Sequence, residues 1–111
     1  MIHKMNLWND SFIAIKEGWK TIEMRLNDDK RRKIQIGDII EFTNTFTLET
    51  MSCLVLKIFN YKTFNELYLN HSKVSIGYKD DEIAKPEDML VYYSIEEIKN
   101  YGVVGIEIKV L

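Results

Sequence analysis

The chain has 111 residues, 46% of them hydrophobic and 29% charged, with a formal net charge of -2. That composition describes one ordinary globular domain over residues 1–111, too short for a second and without the basic excess that marks most nucleic-acid binders. No apolar run is long enough to span a membrane, the start Met1-Ile2-His3-Lys4-Met5-Asn6 lacks the apolar core of a secretory signal, and the single cysteine, Cys53, excludes an internal disulfide and points to a reducing cytoplasm.

Met1 to Trp8 alternate loosely, with Met5 and Leu7 on one side and Lys4 and Asn6 on the other, and predict an opening strand. Asp10 or Ser11 then caps a short helix whose apolar positions Phe12, Ile15 and Trp19 lie near helical spacing. Gly18 ends it, because glycine takes the left-handed conformation at no steric cost. Trp19 is either a plug in the core or one rim of a cleft. From Lys20 onward Thr21, Glu23 and Arg25 alternate with Ile22, Met24 and Leu26, the period of a half-buried strand. Three polar groups therefore share a face, with Glu23 and Arg25 about 6.6 Å apart along it. Such a face is either an ion-paired strand surface or a site kept open to solvent for a ligand.

Asn27 to Asp38 predict a turn or a single helical turn, capped by Asn27 or Asp28, before the next strand. Residues Lys16 to Ile36 hold seven cations against four anions in a chain that is otherwise acidic, which places any anion-binding surface here. Lys30, Arg31, Arg32 and Lys33 cannot all face one way, and such a run also suits a solvated connector. Ile39 to Phe42 and Thr50 to Phe59 predict buried strands, with turn chemistry at Asn44 between them. Thr63 stands three residues ahead of Glu66, and Ser94 three ahead of Glu97, the capping-box spacing that opens two short helices. Asn70 to Asp88 lack an apolar period and predict a long acidic surface connection, a candidate mobile flap, with Pro86 fitted to the first turn of a helix. Gly102 stops the last helix, and Val103 to Val110 form a closing strand interrupted by Gly105. Strands outnumber helices with no sustained strand-helix-strand rhythm, so the fold class is α+β, mainly β: a small β-barrel with peripheral short helices.

The residues exclude several chemistries. His3 and His71 stand far apart and neither belongs to a ligand-spaced pair, so no metal site and no cofactor are expected. No glycine-rich phosphate loop and no nucleophile elbow occurs, and Cys53 lies in an apolar strand where a buried, inert thiol is expected. Arg25 offers a planar fork of donors for a phosphate or base edge, Lys20 a compact charge, and Glu23 a carboxylate to orient either one. Trp19, Tyr92 and Tyr93 are the aromatic rings available for stacking on a base.

Gly18, Lys20, Glu23 and Arg25 fall in the spacing G-x-K-x-x-E-x-R, and the chain also carries Gly37-Asp38-Ile39-Ile40-Glu41-Phe42, Tyr92-Tyr93 and Tyr101-Gly102-Val103-Val104-Gly105-Ile106-Glu107-Ile108. In these pieces and their order the sequence resembles the ASCH family, the domains homologous to the activating signal cointegrator. The resemblance covers nearly the whole chain and implies a PUA-like β-barrel with a cleft for RNA or a nucleotide-like ligand. The candidate site is then Trp19, Lys20, Glu23, Arg25, Tyr92 and Tyr93, open to solvent. One ASCH-like branch resembles amidohydrolases that remove the acetyl group of N4-acetylcytidine with a lysine, a threonine three residues later and a glutamate in a later helix. Lys20 matches the lysine, but Glu23 occupies the threonine position, Thr21 is displaced by two residues, and Glu66 is only a loose match for the acid.

Overall fold

Three strands carry the alternation cleanly. In the computed structural model, which describes residues 1–111, β1 (Ile2–Leu7) buries His3, Met5 and Leu7, β3 (Ile39–Asn44) buries Ile40, Phe42 and Asn44, and β4 (Thr50–Tyr61) buries Met51, Cys53 and Val55. β2 (Ile22–Leu26) and β5 (Val103–Val110) complete a five-stranded mixed sheet in the order β1-β3-β4-β5-β2. β1 runs parallel to β3, with Ile2 opposite Ile39, so the chain must leave the sheet and return between them. That crossover carries α1 (Asn9–Lys16), β2 and the single turn α2 (Asp29–Arg32). The other pairings are antiparallel.

The mainly β, α+β expectation holds, and the sheet forms a half-barrel. β1 and β2 are its two edges and do not pair with each other. A bulge between Val55 and Lys57 shifts the register of β4 against β5, and the inward residue becomes Ile58, which packs on the core. The larger core gathers 13 residues, among them Phe12 and Ile15 of α1, against the inner face. A second cluster of six, Ile22, Phe64, Leu67, Ile76, Met89 and Val103, lies under α3 (Phe64–Asn70) and the 3-10 helix Pro86–Val91. β5 serves both, so Val103 to Ile106 are all buried.

Several local expectations are revised. The first helix starts at Asn9 with Trp8 at its cap position and no side-chain cap, so Asp10 and Ser11 lie in its first turn. β5 is not interrupted at Gly105: the strand runs through it, and a Cβ there would sit 3.2 Å from Ile22 Cγ2 and 3.4 Å from Leu67 Cδ1. Glycine lets α3 approach the sheet. The acidic connection before Pro86 is anchored and is no free flap. Its Ser75 carbonyl accepts from the backbone N–H groups of Thr21 (3.0 Å) and Ile22 (2.9 Å), Ile76 is buried, and Lys73 Nζ donates to the carbonyls of Asp80 and Glu82. The caps of the later helices form as the spacing predicts. Ser94 and Glu97 make both arms of the box at α4 (Ile95–Tyr101), and Thr63 Oγ1 accepts from Glu66 N.

Candidate functional site

Beyond the last turn of α1, Gly18 takes φ +89° and reverses the chain, and the Lys20 N–H donates to the Ala14 carbonyl at 3.2 Å. The Lys20 side chain is thereby folded inward against α1. Its Nζ donates to Glu23 Oε1 at 2.8 Å and to Ser11 Oγ at 3.3 Å. Ser11 therefore receives a lysine where a helix cap was expected. The other carboxylate oxygen, Glu23 Oε2, accepts from Arg25 Nε at 2.7 Å, and Arg25 Nη2 donates to the Asn6 carbonyl at 2.6 Å. Glu23 and Arg25 can pair in this way because alternate strand residues share a face.

The side chains of Lys20, Glu23 and Arg25 are only 7%, 5% and 14% exposed. Burial is the largest influence on Glu23 and would raise its pKa, but the charges and hydrogen bonds of Lys20 and Arg25 override it and hold the carboxyl below its ordinary value. Burial likewise works to lower Arg25, and the Glu23 carboxylate reverses it, so the guanidinium stays charged. Two cations surround one anion, which leaves one surplus positive charge in a largely desolvated place.

The face is not the open, solvent-washed surface expected of it. Gly77, on the anchored connection, lies against the Lys20 stem, so close that a Cβ there would stand 3.1 Å from Lys20 Cδ. Two aromatic residues follow the 3-10 helix. Tyr93 stacks on Phe64 with ring centroids 6.0 Å apart, and Tyr92 lies 6.3 Å from Tyr93. Burial raises the Tyr92 phenol pKa and the Glu23 carboxylate adds to it, while Tyr93 acts on Arg25, so both rings lie within electrostatic reach of the charged triad.

Tyr92 is 51% exposed and meets Trp8, 61% exposed, edge to face at 5.1 Å. Trp8 is the residue missed by reading the sequence. The signal was present, since His3, Met5 and Leu7 face inward and the same alternation turns position 8 outward. Trp19, by contrast, is half-buried and donates its indole N–H to Glu17 at 3.3 Å; no ring contact joins it to Tyr92 or Tyr93.

The basic run disperses, three of its four cations tethered by separate partners. Lys30 Nζ donates to the Lys4 carbonyl (3.0 Å), Arg31 pairs with Asp28 (3.1 Å), and Arg32 donates to the carbonyls of Asn27 (2.9 Å) and Tyr101 (3.3 Å). Lys30 and Arg25 together occupy two outward carbonyls of β1, those of Lys4 and Asn6, in place of a neighbouring strand. His3 bonds Asp38 and His71 bonds Tyr61, each at 2.8 Å. Burial pushes the Cys53 thiol up to about 11, as an inert core cysteine requires. Glu66 lines a separate groove between α3 and α4, with Lys62 and Lys99. No helix is long and apolar enough to cross a membrane.

Among solved structures, the chain is similar to the hypothetical protein PH0355, at 32% identity with all of both chains covered and a TM-score of 0.85. It is also similar to protein PF0455 from Pyrococcus furiosus, at 32% identity over all of this chain and 98% of that one, with a TM-score of 0.78. A variant of ZmASCH from Zymomonas mobilis shares the fold at 14% identity, with a TM-score of 0.62 over 97% of this chain and 67% of that one. No curated protein matches the chain. The ASCH domain model matches residues 5–111, nearly the full length and all of the charged triad, and the chain therefore belongs to the ASCH domain family, with its PUA-like fold.

Proposed function

We propose that this protein binds RNA or a nucleotide, with an unpaired base stacked on the exposed Trp8–Tyr92 pair and an anionic or base-edge group held at Arg25. The observation that carries the reading is the juxtaposition of two exposed rings with a buried triad of surplus positive charge. Arg25 is the most open member of the triad, and its hydrogen bonds engage Nε and Nη2. Its Nη1 remains to donate to a phosphate or a base edge. Glu23 and Lys20 act behind it: the carboxylate fixes the guanidinium plane, and the ammonium keeps that carboxylate ionised.

The test is titration of single-stranded and structured RNA at low and moderate salt. Trp8→Ala and Tyr92→Ala remove surface rings, and each should weaken binding by roughly 1–3 kcal/mol, the worth of one stacked base. Arg25→Lys keeps the charge and loses the fork, and should weaken binding further. Absence of binding at low salt, or wild-type affinity in all three variants, would refute the reading. Release of acetate from acetylated cytidine would move it to the amidohydrolase branch.

A further inference from the structure

An open depression lies away from the triad. A groove of about 920 Å³ runs between the end of β4, the start of α3 and the outer face of α4. Lys62 and Lys99 both line it, both are exposed, and neither is in an ion pair. Tyr101 offers an exposed ring in the same wall, and the Asn60 and Asn100 side chains bring amide donors and acceptors. Glu66 is the one acid among the lining residues. In a chain of net charge -2, this concentration of unpaired cations beside an aromatic ring stands out as a match for a polyanion carrying flat bases.

The groove is joined to the triad by the backbone. Gly102, at its edge, accepts through its carbonyl from Asn27 N at 3.0 Å, and Asn27 stands two residues beyond Arg25, roughly 6.6 Å along an extended chain. Arg32 bridges that junction, donating to the carbonyls of Asn27 and Tyr101. Arg32 thus adds a cation where the exit of β2 meets the Tyr101 end of the groove.

From this we infer that the α3–α4 groove is a second RNA subsite, which takes the single strand flanking the nucleotide held at the triad. The inference rests on the RNA-binding reading and adds a direction and a length to it. Phosphates lie along Arg32, Lys99 and Lys62, and Tyr101 stacks a flanking base.

Oligouridylates of three and nine nucleotides, titrated against wild type and Lys62→Ala/Lys99→Ala over a range of salt, provide the test. Wild type should bind the nonanucleotide more tightly than the trinucleotide, and the double variant should lose most of that gain. The salt slope for the nonanucleotide should fall by about 1.4, at ~0.7 per cation on a single strand. Lys62→Arg/Lys99→Arg should restore it. Both lysines are exposed, so unfolding does not confuse the result; urea denaturation of the double variant checks this. If wild type binds RNA through Trp8, Tyr92 and Arg25 while the double variant keeps the full length-dependence and slope, the groove is refuted and the triad reading stands. If wild type binds neither oligonucleotide, both fall together.

Discussion

Glu23 is held between two cations with both oxygens engaged, and the removal of its charge exposes what it does. Glu23→Gln keeps the shape but leaves Lys20 and Arg25 as uncompensated like charges in a buried place. The expected loss of stability is about 3 kcal/mol, read as a shift of the urea midpoint. The pH dependence follows from the same geometry. Because the folded carboxyl is held below its ordinary value of 4.5, its contribution is complete above that pH and is lost as the pH falls through the folded value. The acid limb of the wild-type stability profile should therefore flatten in Glu23→Gln; an unchanged limb would show that the triad does not carry it. At this scale the sequence was partly legible. Alternation put Glu23 and Arg25 on one face, and spacing selected Lys20. Nothing local could say that Lys20 would donate to Ser11, nine residues earlier, or that Trp8 would meet Tyr92.

The connection before Pro86 behaves as part of the site. Its Ser75 carbonyl holds the entry to β2, and Gly77 closes over Lys20. Gly77 has φ +112°, a conformation that side chains resist, and a Cβ would also press on a stem with little room to move. Gly37, at φ +92° with nothing within 4 Å, supplies the control for backbone strain alone. Gly77→Ala should cost more than Gly37→Ala by about 1 kcal/mol in urea denaturation, the scale of modest overpacking. Equal losses would show that Lys20 yields freely. Elements with local signals were readable in advance: the Ser94–Glu97 box, the stop at Gly102, the Asp28 cap and the alternating strands. The anchoring of the connection was not, because Ile76 is one apolar residue in a polar stretch, and its burial depends on a cluster that includes Ile22 and Val103, strand residues distant in sequence.

At the scale of the molecule, a half-barrel leaves β1 and β2 as edges, and side chains latch them where strands do not. Arg25 and Lys30 hold two of the outward carbonyls of β1. The strand count and mainly β character could be read from period and turn residues, whereas the parallel β1–β3 pairing and the open edge arise from long-range register that no short window contains. The sheet then divides the apolar interior unequally, 13 residues inside against six beneath α3 and the 3-10 helix. Opening free energy follows local apolar burial, so the smaller cluster should open first and independently. Amide hydrogen exchange tests this. Backbone N–H groups of Phe64–Asn70 and Ile95–Tyr101 should exchange well ahead of those of Cys53 and Val55, which sit in the middle of the larger core with partners on both sides. Ligand bound in the α3–α4 groove should slow the first set selectively, because α3 and α4 rest on the smaller cluster. Uniform protection across the two sets, with or without RNA, would mean that the half-barrel and its helical cover open as one unit.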